Sequence, residues 1–243
     1  MRSSHVIAAR LALGLCLSAL GASAIALPQP DFRINPVTGR VEAVDPVWTG
    51  SNYDIDYVVD PGNFAELQST GLAANALDDL DPRLTIGNDG SAWVAWWRDG
   101  SVDQVLLRKR AGSSGSWSGE LLVSAAGESS RKPRIATDGQ RAWVAFQLDS
   151  GNQTSVAVNV IDDEPDPMGS RWILKTTSFS AVDVMVQTES GHVWVTWVDS
   201  SSQVGWAEYD ATADHWNSPA YQPYTLGDVR AARSAIRALV LAP

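Results

Sequence analysis

Apolar and polar positions along this chain fall into a unit that repeats three times: an apolar run, a short Asp/Gly turn, a second apolar run, a polar turn and a third run. Aligned on the Gly-to-Trp segment, the first copy reads "PRLTIGNDGSAWVAWWRDGSVDQVLLRKR" from Pro82. The second reads "PRIATDGQRAWVAFQLDSGNQTSVAVNVI" from Pro133, and the third "DVMVQTESGHVWVTWVDSSSQVGWAEYD" from Asp183. These starts are 51 and 50 residues apart, and a fixed period of this size marks a repeat architecture. Runs joined by Asp/Gly/Ser turns predict hairpin-linked antiparallel strands. The second run of each copy is apolar at nearly every position, so both its faces are expected to be buried.

A fourth strand per copy is predicted from "WSGELLVSA" after Trp117, "RWILKTTSF" around Trp172 and "WNSPAYQPYTL" after Trp216. Four short antiparallel strands in each fifty-residue unit predict an all-β fold, a β-propeller of about four four-stranded blades. Blades are expected near 82–125, 133–178 and 183–227. Trp48 is placed level with Trp97, so that residues 38–72 form the three outer strands of an earlier blade whose first strand is missing. "RSAIRALVLAP", from Arg233, resembles a lone first strand and would close the ring on that blade. A terminal helix is the alternative, because Arg230, Arg233 and Arg237 fall at helical spacing; a truncated gene is a third reading.

The first 24 residues read as an export signal, with Arg2 and Arg10 ahead of "LALGLCLSALGA" and small residues at Ala22–Ala24. Cleavage is expected after Ala24 or Ala26, and no later run approaches a membrane span. Residues 25–243 then form one domain, in the periplasm or outside the cell. Cys16 lies in the signal, so the mature chain has no thiol for disulfides, metal ligation or nucleophilic attack. Losing Arg2 and Arg10 moves the formal charge from −10 to −12, which disfavours nucleic acid and anionic membranes and leaves basic proteins, glycans and cations as partners.

Candidate chemistry is sparse. Asp99, Asp149 and Asp199 each follow the second strand and are expected to ring one face, with Asp89, Asp138 and Glu189 on the other. Such rings suit Ca²⁺ or a basic partner; the plainer reading is turn chemistry. Trp93, Trp143 and Trp194 recur in the most apolar strand and are expected to pack the core, whereas Trp117, Trp172 and Trp216 are better placed for ligand contact. The acidic runs "LDDLDP" and "IDDEPDP" are expected in solvated connections. His192 and His215 lie apart, and no nucleophile elbow is present.

The phrases "PRIATDGQRAWVAF" and "HVWVTWVDS" resemble repeats of bacterial secreted propellers related to the sialidase and Asp-box group. Gly90–Trp93 and Gly191–Trp194 fit the second half of Ser-x-Asp-x-Gly-x-x-Trp. Asp89 and Asp138 instead directly precede their glycines, and Glu189 and Ser190 stand where a third such aspartate would. "FRINP", Phe32–Pro36, resembles the Phe/Tyr-Arg-Ile-Pro motif that carries a carboxylate-binding arginine in sialidases, with Asn35 inserted. The resemblance implies a six-bladed enzyme with two further arginines, a tyrosine–glutamate couple and an aspartate acid. The mature chain is too short for six blades, and Glu208 and Tyr209, being adjacent on a strand, face opposite ways. The residues therefore favour an exported, non-enzymatic binding module; a propeller glycoside hydrolase or lyase and a lectin are the alternatives.

Overall fold

A computed structural model describes residues 30–60, 67–139, 141–162, 171–177, 181–189, 191–199 and 203–223. The expected export signal, the expected closing strand from Arg233 and residues 163–167 of the second acidic run lie outside them. The described residues form four antiparallel sheets and no helix, and none of them forms a helix able to cross a membrane.

The first sheet runs in the order β1 (Asp31–Ile34), β2 (Val41–Trp48), β3 (Tyr53–Val59), β4 (Gln68–Ala73). The second holds β5 (Asp78–Ile86), β6 (Ala92–Asp99), β7 (Gln104–Arg110) and β8 (Leu121–Leu122). The third holds β9 (Ser129–Thr137), β10 (Ala142–Ser150), β11 (Gln153–Ile161) and β12 (Arg171–Thr177). The fourth holds β13 (Ala181–Glu189), β14 (His192–Asp199) and β15 (Gln203–Asp210). Its outer strand is split into β16 (His215–Trp216) and β17 (Ala220–Pro223), both paired with β15.

Two expectations are corrected. The first blade is not missing its inner strand, because Asp31–Ile34 pairs antiparallel with Val44–Val41. That strand makes four pairs where the other first strands make seven or eight, so its sequence is too short to show the repeat. The acidic run at 77–82 is not a connection either: Asp78–Asp81 belong to β5 and Asp79 is fully buried. Asp79 accepts hydrogen bonds from Trp96 Nε1 at 2.9 Å and Arg98 Nε at 2.8 Å, which compensates the cost of its burial.

The sheets pack face to face, with one apolar core in each gap. Val44, Ile55, Tyr57 and Leu72 meet Leu84, Val94, Trp96 and Leu106 between the first two blades. Trp93, Val105 and Leu107 meet Val144, Phe146 and Ile161 in the next gap, and Trp143, Val156 and Val158 meet Val195, Trp197 and Tyr209 in the third. This is why the second strand of each unit is apolar throughout: β6 and β10 are covered on both faces. Trp93 and Trp143 are buried as expected, and each has a cation over its ring, Lys109 at 4.3 Å and Arg141 at 5.1 Å. Trp194 departs from its two counterparts, being half-buried and stacked on His192 at 5.3 Å.

Candidate functional site: an arginine row on the inner strands

The first strands of the four blades stand side by side in chain order, β1 against β5, β5 against β9 and β9 against β13. In a propeller this is the axial position. Both β5 and β9 carry the same defect. Asp81 and Pro82 together oppose the single residue Trp96, and Lys132 and Pro133 together oppose Phe146. The leading residue of each bulge takes a left-handed backbone, φ 49° at Asp81 and 54° at Lys132. Proline suits the following position, since a bulge on an edge strand needs no ladder donor there.

A bulge breaks the strict alternation of side chains and re-aims those beside it. Here it brings charges together. Arg83 bonds Asp81 Oδ1, while Arg134 reaches across from the next blade to Asp81 Oδ2 at 2.9 Å. From the preceding blade Asp31 accepts the Leu84 N–H at 2.9 Å and holds Arg33 Nη1 at 2.6 Å. Three guanidinium groups from three blades thus gather around Asp31 and Asp81, on a chain of net charge −10. Their side chains remain reachable, at 47% exposure for Arg33, 22% for Arg83 and 21% for Arg134. Burial, followed by the nearby Arg134 charge, lowers the Arg83 pKa from its ordinary value, against the opposing pull of Asp81 and Asp31. A group so placed gains from any further anion.

Above the row, at the end where the second strands finish, lie the aspartates singled out by the repeat. Asp99, Asp149 and Asp199 hold one register position, opposite Asp78, Ser129 and Ala181. Asp149 serves its own hairpin, accepting from Thr154 Oγ1 at 2.8 Å, and pairs with Arg131 at 3.3 Å. Arg131 also pairs with Asp103 at 3.1 Å. Burial first, then the charge of Asp103 and a hydrogen bond with it, raise the Asp99 pKa. No group of three or more His, Cys, Asp or Glu among the described residues is arranged to hold a metal ion. At the other end Asp89 and Asp138 do turn chemistry, accepting the Ser91 and Arg141 N–H groups at 2.9 and 2.8 Å.

The tryptophans favoured for ligand contact also pack against neighbouring rings. Trp117 lies edge-on to Tyr57 at 4.8 Å, and Trp172 and Trp216 join Tyr209 and Trp143 in an aromatic cluster between the third and fourth blades. All three are half-buried, because the outer strands they lead into fold over the gap between sheets.

A tyrosine–glutamate couple does exist, though not at Glu208 and Tyr209. Tyr57 donates to Glu42 Oε2, Arg110 bonds both Glu42 oxygens at 3.1 Å and the Tyr57 hydroxyl, and Asn35 Nδ2 donates to Glu42 Oε1 at 2.7 Å. None of the four residues is more than 5% exposed. Burial, followed by Glu42, pushes the Tyr57 pKa above its ordinary value. A nucleophilic tyrosine needs access and a lowered pKa; this one has neither, and it clamps the first blade to the second.

Of the row, sequence points to Arg33 alone, through Phe32–Pro36. The signal for the other two arginines is the tripeptide Asp-Pro-Arg at 81–83 against Lys-Pro-Arg at 132–134, with Asp-Phe-Arg at 31–33 before them.

No protein-family model matches the chain, and no curated protein matches it in sequence. Solved structures match in fold. An endo-arabinase from Bacteroides thetaiotaomicron superposes with a TM-score of 0.58 at 10% identity, covering 84% of this chain and 82% of that one. An intramolecular trans-sialidase from Ruminococcus gnavus gives 0.57 at 7% identity, with 81% and 70% covered. An ulvan lyase, a polysaccharide lyase, gives 0.55 at 8%, with 81% and 58% covered. Four stacked four-stranded sheets and this shared architecture make the chain a β-propeller, built like those of glycoside hydrolases and lyases.

Proposed function

We propose that this propeller recognises an acidic glycan, taking a carboxylate or sulfate of the sugar on Arg33, Arg83 and Arg134. The observation that carries the reading is the sharing of Asp81 by Arg83 and Arg134 from adjacent blades, with Arg33 tied in through Asp31. Guanidinium groups bind carboxylate and sulfate-like oxyanions through paired hydrogen bonds. Two of the matched structures hold acidic ligands: the ulvan lyase is bound to -[GlcA(1-4)Rha3S]-, and the trans-sialidase to oseltamivir carboxylate. We place the protein outside the cytoplasm on the strength of its N-terminal signal pattern.

Glycan cleavage, as hydrolase or lyase, is the second reading, and the Asp99–Asp103 pair favours it. One carboxyl there holds its proton above the ordinary aspartate range, beside another paired with Arg131. Arg131 stands three residues before Arg134 on the same strand. Glycoside cleavage by acid catalysis uses two neighbouring carboxyl groups.

A thermal-shift screen of oligogalacturonides, hyaluronan and heparin fragments against neutral oligosaccharides tests binding, and product analysis by mass spectrometry tests cleavage. Stabilisation by an acidic probe, lost in Arg83→Ala, supports the reading. Equal indifference to all probes contradicts it.

A further inference from the structure

Trp48 stands apart from the ten other tryptophans. Each of the others is buried or half-buried, whereas Trp48 is 51% exposed. The period places it level with the interior Trp97, but in the structure it closes the β2–β3 hairpin opposite Tyr53. The two rings lie 5.1 Å apart at 57°. Cross-strand partners share a face, so the rings form one short surface.

The hairpin mouth holds this surface still. Thr49 N donates to Asn52 O at 3.0 Å, and Tyr53 N donates to Asp78 Oδ1 at 2.8 Å. Asn52 Nδ2 reaches the carbonyls of Asn75 and Leu77 at 2.8 and 3.1 Å, fixing the turn to the connection into the second blade. The fringe is polar: the Thr49 and Ser51 hydroxyls bond Asn52 Oδ1 at 2.8 and 2.9 Å and keep acceptor capacity, as does the Asp78 carboxylate. Leu77, 45% exposed, extends the apolar part toward Gly100.

We propose that Trp48 and Tyr53 form a stacking platform for a neutral sugar residue. The C–H face of a pyranose or furanose ring lies on an indole, and the sugar's hydroxyls meet the hydroxyl and carboxylate fringe. An acidic sugar is disfavoured, because Asp78 pairs in register with Asp99, so that carboxylates border the platform on the second blade. Two rings and a leucine are also far less than the roughly 800 Å² per side that a stable protein interface buries. The inference shares with the functional reading only the idea of a glycan ligand: the arginine row takes an acidic unit, and the platform takes a neutral one.

Calorimetric titration of arabinohexaose, xylohexaose and galactohexaose into wild type, Trp48→Ala and Arg83→Ala tests the platform. At least one probe is expected to bind wild type and Arg83→Ala alike, and about tenfold more weakly to Trp48→Ala, the loss of one aromatic contact. In wild type the bound sugar should also shield an indole from acrylamide quenching, which requires no variant to fold. Failure of all three probes to bind, or equal affinity for wild type and Trp48→Ala, overturns the platform. Loss of acidic-glycan binding in Arg83→Ala bears on the row alone, so the two claims fail separately.

Discussion

Removing Arg110 should cost the fold heavily. The guanidinium sits between the first and second blades, bonded to both oxygens of Glu42, to the Tyr57 hydroxyl and to the carbonyls of Gly90 and Gly112. Arg110→Met keeps much of the apolar stem and strands Glu42, which is only 2% exposed. Breaking a buried pair from one side costs about 3–5 kcal/mol.

Glu42→Gln strands the arginine from the other side and should also be destabilising. Urea unfolding of the wild type and both variants is the assay. Because total stability is about 5–15 kcal/mol, losses of this size are easily resolved. A loss under about 1 kcal/mol for Arg110→Met would refute the clamp.

Gly205 faces the Trp197 ring so closely that a Cβ there would penetrate it, so Gly205→Ala should destabilise by about 1–3 kcal/mol in thermal unfolding. Trp143→Ala should cost about 3–5 kcal/mol and Trp194→Ala clearly less, although the repeat gives them one position, since only Trp143 is fully buried. Asp99 should titrate above its ordinary 3.8 in a carboxyl NMR experiment, and Asp103→Asn should lower that midpoint without restoring it fully, because burial is the first cause. The Asp99 contribution to stability is then fully present below 3.8 and lost as pH rises through the raised midpoint. A midpoint unmoved in Asp103→Asn would show that the neighbour has no part in it.

The repeat made the fold legible because its strongest signals are local. Asp138–Gly139 turns, Trp-bearing second strands and the fifty-residue period depend on neighbours in sequence, and the sheets follow them. What escaped depends on contacts between units. Phe32–Arg33–Ile34 looks unlike the other inner strands because half of its pairing is absent, so its pairing with β2 and its place beside β5 identify it. Asp79 reads as a loop charge until Trp96 and Arg98 are seen to receive it. Trp117, Trp172 and Trp216 also pack on rings of a neighbouring sheet, which a strand pattern does not show. Arg83 and Arg134 are 51 residues apart and meet on one carboxylate only because a bulge in each strand re-aims them.

If the arginine row reads negative charge on a sugar, an uncharged copy of the same sugar isolates that charge. Calorimetric titration of an oligogalacturonide and its methyl ester into wild type and Arg83→Ala/Arg134→Ala makes the comparison. Wild type is expected to bind the acid at least about tenfold more tightly than the ester, a difference of about 1.4 kcal/mol, and the double variant to bind the two alike. Equal affinity of wild type for acid and ester, or a preference kept by the double variant, would contradict that reading.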